Sequence, residues 1–345
     1  MPVKVASACN EQPINRDIMK NSLYKIFFKN SVLLTVMLIL CKSNVAQLKG
    51  DHLLGDAGLQ SGTQAPPSFT VAIPVYNYHT STFISANGTK ISAPDINSFL
   101  TGVGASVVIN LKILGAHYGA AVILALASSK IDGGMLSSSS PLAFSDSYIQ
   151  PLQLGWETKK ADFTFGYALY LPTGKYEPGG SENSGLGMLS NEFSGGTTFY
   201  FDQKKEWNIS TLLSYAISSK KKNTKDNDIT VGNVLSVEGG LGKTWYKEIK
   251  NQTLPMIINA GLVYYFQYKI IGDKIQVPNF GGYSFDLTKD HVYALGIEGN
   301  IFIPQFKASA SIRWLDEFAA LNRFRGNTFV LTLAPYIHFI TQKTK

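Results

Sequence analysis

Asp162-Phe-Thr-Phe-Gly-Tyr-Ala-Leu-Tyr-Leu171 alternates large apolar side chains with small or polar ones. A strand sends successive side chains to opposite faces, so Phe163, Phe165, Tyr167, Leu169 and Leu171 share one face. Asp162, Thr164, Gly166, Ala168 and Tyr170 share the other. About ten residues of this pattern are what a tilted strand needs to cross a bilayer. The pattern recurs at 207–218, 256–268, 306–315 and 328–339, where Trp207, Leu213, Leu262, Ile312 and Phe329 fall on the apolar face. Twelve such segments are predicted: 68–79, 98–112, 116–128, 148–157, 161–171, 191–202, 206–218, 230–246, 256–268, 291–303, 305–316 and 327–340. Pro74 and Pro151 fall inside two of them, and a proline removes a ladder donor, so bulges or frayed ends are expected there.

The connections sort by length. Long ones at 80–97, 129–147, 172–190, 219–229, 269–290 and 317–326 alternate with short ones at 113–115, 158–160, 203–205 and residue 304, and with an intermediate one at 247–255. A soluble sandwich has no reason to sort its loops, and it would seldom expose Trp207, Tyr264, Phe266 and Trp314. The expected fold is all-β: an antiparallel transmembrane β-barrel of about twelve strands, with short periplasmic turns, long outer loops and both ends in the periplasm. Aromatics at strand ends, such as Trp156, Tyr170, Tyr200, Trp207, Trp245 and Trp314, fit interfacial girdles.

Composition agrees. The 345 residues are 45% hydrophobic and 16% charged, with 31 Gly, 17 Tyr and 20 Phe. The one long apolar run is Ser31–Cys41, preceded by Lys20, Lys25 and Lys29 and followed by Ser43-Asn-Val-Ala46. A basic start, a short apolar centre and small residues describe a secretory signal peptide, with Met19 as the favoured start and cleavage after Ala46 or Gln47. Cys41 follows Leu40, where a lipoprotein anchor would want a small residue. Both cysteines, Cys9 and Cys41, leave with this segment, which excludes disulfides and thiol chemistry from the mature chain. Six Lys/Arg and two Asp/Glu leave as well, taking the formal charge from +7 to +3, so no case for nucleic acid remains. The expected organisation is an N-terminal extension and signal peptide over 1–47, a Gly/Pro-rich periplasmic tail or small lumen plug over 48–67, the barrel over 68–340 and a polar tail over 341–345.

Several stretches resemble one family: Gly55-Asp-Ala-Gly-Leu-Gln-Ser-Gly-Thr-Gln-Ala-Pro-Pro67, Pro74-Val-Tyr-Asn-Tyr78, Gln150-Pro-Leu-Gln-Leu-Gly-Trp156 and Tyr170-Leu-Pro-Thr-Gly-Lys-Tyr-Glu-Pro-Gly179. Gly185-Leu-Gly-Met188, Gly195-Gly-Thr-Thr198, Gly239-Gly-Leu-Gly-Lys-Thr244 and Gly326-Asn-Thr-Phe-Val-Leu-Thr332 continue it. They resemble the transporter-like outer-membrane proteins named for the meta-pathway (MetA) of phenol degradation, over nearly all of 50–340. Pro172-Thr-Gly-Lys-Tyr-Glu-Pro178 is the most specific part. The resemblance implies a barrel that passes aromatic or other hydrophobic small molecules, and it implies no reaction.

Motifs for chemistry are weak. Gly239-Gly-Leu-Gly-Lys-Thr244 lacks the leading Gly of a phosphate loop, since position 237 is Val, and it sits within a strand. His52, His79, His117, His291 and His338 show no metal-ligand spacing, so neither metal nor cofactor is expected. His338 and Ser309 are both predicted to face the lumen, which does not suit a lipase acting on membrane lipid. The lumen wall is the better lead. By parity Glu238, Glu298, Lys307 and Arg313 point inward, as do Asp162, Glu192 and Asp202 nearer strand ends. Glu298 and Arg313 lie on consecutive antiparallel strands and should be neighbours, as a stabilising salt bridge or as a substrate gate. Lys220-Lys-Lys-Asn-Thr-Lys-Asp-Asn-Asp228 reads as a solvated outer hairpin tip, with contact to anionic lipopolysaccharide as the functional alternative.

The function expected from the sequence is an outer-membrane channel, not an enzyme, that passes small aromatic or hydrophobic solutes by passive diffusion. Its expected partners are outer-membrane lipid, lipopolysaccharide and the solute. The alternatives are a closed structural or surface-binding barrel acting through its loops and, less favoured, a membrane-embedded hydrolase.

Overall fold

Hydrocarbon offers no hydrogen-bond partner, so strands faced with Phe163, Phe165 and Trp207 can sit in lipid only if every edge is paired. The structure, a computed structural model describing residues 50–133, 137–178, 180–222, 228–252, 254–277, 283–286 and 289–338, meets that need by closing the sheet. Residues 1–47, expected from sequence to be an extension and signal peptide, and the tail 341–345 lie outside the described residues.

The strands are β1 (Ser68–Ile84), β2 (Lys90–Ile113), β3 (Ala116–Asp132), β4 (Ser138–Phe144), β5 (Ser147–Glu157), β6 (Ala161–Leu171), β7 (Ser190–Tyr200) and β8 (Trp207–Ser218). Then come β9 (Asp228–Thr230), β10 (Val234–Lys247), β11 (Met256–Lys269), β12 (Lys274–Val277), β13 (Tyr283–Asp286), β14 (His291–Ile303), β15 (Ala308–Leu321) and β16 (Arg323–His338). Twelve form the barrel: β1, β2, β3, β5, β6, β7, β8, β10, β11, β14, β15 and β16, each antiparallel to its neighbours. The ring closes where β1 pairs β16 from Ser68↔His338 to Ile84↔Arg323. β4 pairs with the outer part of β3, and β9, β12 and β13 form a small separate sheet in the outer connections.

The faces follow the alternation. Phe163, Trp207 and Leu213 point outward at 45–48% exposure, whereas Asp162, Asn208 and Ser210 beside them are buried inside at 0–1%. On the outer surface Lys243 lies over both the Trp207 and Trp245 rings, at 5.0 and 5.4 Å, beside the short turns. A long cationic side chain covering aromatic faces suits the headgroup layer.

At the short-turn end, β2 and β3 are joined by Leu114 and Gly115 alone, both left-handed (φ +50° and +82°), the turn whose twist matches paired strands. Two predicted long loops prove shorter. β1 and β2 run on past residues 80 and 97, pairing Thr82↔Ser92 through Ile84↔Lys90 and leaving only 85–89 as turn. β15 and β16 are separated by Asn322 alone, at φ +55°. Thr80-Ser-Thr-Phe-Ile84 is rich in β-branched and aromatic residues, so the ladder continues beyond the membrane-length pattern. Pro151 sits at a bulge, with register shifts in β5 against both β3 and β6, as expected. Pro74 does not fray β1, which stays in register with β16 through it.

Candidate functional site

Inside the ring, the wall carries carboxylates and the segment before β1 carries unpaired backbone groups, and each satisfies the other. This segment runs up the lumen, from Gln64 near the short-turn end to Gly50 beside Val234 at the outer end. Glu238 on β10 accepts the backbone N–H groups of Gly55 and Ala57 at 2.5 and 3.0 Å. Glu298 on β14 accepts Leu59 N–H at 2.9 Å and Arg313 Nε at 2.9 Å. Arg313 on β15 also donates from Nη1 to the carbonyls of Gly55 and Asp56. Tyr76 OH donates to Leu54 O at 3.0 Å, and Ser190 Oγ donates to the Asp51 carboxylate. His52 Nδ1 lies 2.8 Å from Glu192 Oε2, and its Nε2 lies 3.5 Å from Glu238 Oε2. Lower down, Thr63 bonds Asp162, which also holds Tyr200 OH at 2.6 Å and Lys205 Nζ at 2.8 Å.

Close approach depends on missing side chains. A Cβ on Gly62 would lie 2.1 Å from the backbone of Thr197, and one on Gly58 would lie 1.9 Å from Glu298 Oε2. Gly62→Ala is therefore expected to lift the lower part of the segment off β7. Limited proteolysis of the folded protein should then cut between residues 60 and 66, where the wild type resists.

The segment packs to one side. Leu54 joins Val263, Tyr265, Val292, Ala294 and Leu315 in a buried cluster against β11, β14 and β15. Glu317 sits above it, accepting Tyr78 OH, Tyr265 OH and Gly326 N–H at 2.6–2.9 Å. On the opposite side, between the segment and β1–β8, a cavity of about 470 Å³ remains. Leu100, Ile123, Tyr148 and Tyr170 give it an apolar wall, and Gln150 and Ser194 add polar atoms. It extends from Asp146 and Leu186 in the outer loops down to Gln153 on β5. That volume fits a small organic molecule, and its mixed lining suits a largely apolar one.

The profile of the family described as "Putative MetA-pathway of phenol degradation" matches residues 80–333. The chain belongs to that family. Among solved structures it is similar to an outer membrane channel from Pseudomonas putida F1, with 12% identity and a TM-score of 0.63, covering 83% of this chain and all of the other. It is also similar to the transport unit of the autotransporter AIDA-I from Escherichia coli, with 9% identity, a TM-score of 0.45 and coverage of 87% and 97%. The first likeness shows a shared barrel fold, and the second carries no further weight. No curated protein matches the chain by sequence.

Within this family member the inward residues named from sequence divide. Glu238, Glu298 and Arg313 meet around the segment 50–67, and Asp162 and Glu192 also face it. Lys307 does not belong there. β14 ends at Ile303 and β15 begins at Ala308, so Lys307 is an exposed turn residue at φ +46°. The turn occupies 304–307, because a hairpin needs left-handed positions that one proline at 304 cannot provide. Asp202 likewise lies beyond β7, where its carboxylate accepts the N–H groups of Lys204, Glu206 and Trp207. Those donors, Trp207 first, hold its pKa below the usual carboxylate range. Ser309 is half-buried with its hydroxyl near Ala334 O, and the side chain of His338 lies outside the described residues. Of the run 220–228, residues 223–227 also lie outside them.

Sequence reasoning missed Glu317, assigned to a loop because β15 was ended five residues early, and it missed His52 and Asp51. The partners of those last two, Glu192 and Ser190, lie more than a hundred positions away, which no local pattern reports.

Proposed function

We propose that this protein is an outer-membrane channel for small, predominantly apolar solutes, and that residues 50–67 form a fixed plug which narrows the lumen to one side. The cavity of about 470 Å³ between plug and wall carries the reading. Its lining by Leu100, Ile123, Tyr148 and Tyr170 gives an apolar solute a place to leave the aqueous or lipid phase. The family's phenol-degradation context supports aromatic solutes among them. A twelve-stranded ring is wide enough to hold a segment of chain and still leave this space. Passage then needs no cofactor and no energy source, since a binding cavity at the lumen wall only lowers the barrier to diffusion.

Ala125 on β3 is buried at the cavity wall, so Ala125→Trp should fill the space while leaving the plug anchors in place. In cells poor in other porins, uptake of a labelled monoaromatic solute is expected to rise when the protein is expressed. It should return to the vector background for Ala125→Trp, with folded protein verified by heat-shifted gel mobility. Uptake equal to wild type in that variant would remove the cavity from the route.

A further inference from the structure

The cavity wall is chemically one-sided. Asp51, Asp56, Asp146, Glu192 and Glu238 line it, and among the described residues His52 is the single basic candidate, with no Lys or Arg in the lining. Four of the five acids are already engaged. Asp51 accepts Ser190 Oγ, and Asp146 accepts the N–H groups of Gly174 and Leu186. Glu192 holds His52, and Glu238 holds the N–H groups of Gly55 and Ala57.

Asp56 is different. Its backbone is fixed, with the N–H donating to Leu53 O and the carbonyl accepting Arg313 Nη1 at 2.6 Å. Its side chain stands exposed within the lumen cavity, and its carboxylate has no hydrogen-bond or ion-pair partner among the described residues. Arg313, which holds the Asp56 backbone carbonyl, is turned to Glu298 and to the backbone carbonyls of the plug. Facing the cavity from β5 and β6 are Tyr148 and Tyr170, edge to face at 5.1 Å. An exposed carboxylate with no partner of its own, facing an apolar wall, is an unused acceptor for a cationic group, and aromatic faces attract the same cation.

We propose that the cavity selects solutes that join a protonated amine to an apolar body, with the ammonium group on the Asp56 carboxylate and the apolar body against Leu100, Ile123 and Tyr148. This rests on the channel reading above and adds the charge of the solute to it. Anions are disfavoured by the same five carboxyl groups.

The test is equilibrium binding, by calorimetry on the full protein in detergent, of three matched probes: 4-phenylbutylamine, 4-phenylbutanol and 4-phenylbutanoate. The amine is expected to bind about tenfold tighter than the alcohol, the size of one charge-assisted hydrogen bond, and the butanoate weakest. In Asp56→Asn the amine-to-alcohol ratio should fall to near one. Glu182→Gln, at an exposed loop pair with Lys175, should keep the ratio. Equal binding of amine and alcohol to the wild type overturns the proposal while leaving the channel reading intact. A preference that survives Asp56→Asn overturns the role given to Asp56. Absence of binding by all three probes contradicts the channel reading itself. Should Asp56→Asn fail to fold, the ranking of the three probes on the wild type still decides.

Discussion

Deleting residues 50–63 is expected to raise single-channel conductance severalfold and to admit hydrophilic solutes that the wild type excludes. The plug takes up one side of the lumen through direct hydrogen bonds to Glu238, Glu298, Arg313 and Asp162 on four different strands. None of those bonds is needed to close the ring, whose ladder runs unbroken from β1 round to β16. The barrel should therefore fold without the plug, though with Glu238 and Glu298 left in contact with water in a wider lumen. Planar-bilayer recordings on the two proteins measure the difference directly. Equal conductance would mean that the segment leaves the lumen in the membrane.

Arg313→Met is expected to have the largest effect on stability of any single wall substitution. It removes the partner 2.9 Å from Glu298, whose side chain is 4% exposed, and it frees two plug carbonyls. Breaking a buried ion pair on one side costs roughly 3–5 kcal/mol, because the remaining charge has no compensation. Removing both charges costs less, so Glu298→Gln with Arg313→Met should recover a good part of the loss. The recovery is partial, since the carbonyls of Gly55 and Asp56 remain without a donor. Urea unfolding in lipid vesicles, followed by tryptophan fluorescence, reads all three variants. A double variant as unstable as the single one would show that the pair matters mainly through the plug.

The outline of this fold is legible because a barrel strand is a local object. Phe163, Phe165 and Trp207 face lipid and Asp162, Asn208 and Ser210 face the lumen by period two alone, so all twelve wall strands can be read one at a time. Glu298 and Arg313 are found together for the same reason, since a short hairpin fixes the register that places them opposite. Lys307 marks where this logic ends. Parity extended through a turn assigns a face to a residue that has none.

The plug is legible only in composition. Leu48 to Pro67 holds Gly and Pro with no period, and the path of residues 50–67 is set by wall carboxylates 99 to 239 positions further along the chain. Asp56 carries no motif, and what singles it out is the absence of a partner where its neighbours have one. The outer ends differ for a related reason. Thr80–Ile84 and Lys90–Ala93 continue as strands because each supplies the other's ladder, whereas a pattern tuned to membrane length stops at the lipid boundary.

Luminal passage beside the plug is tested most directly by crystallising the protein with 4-bromophenol and collecting data at the bromine edge. The anomalous signal is expected between Leu100, Ile123, Tyr148 and the plug. Bromine found only on the lipid-facing surface, beside residues such as Trp207 and Trp314, with none in the lumen, would contradict it.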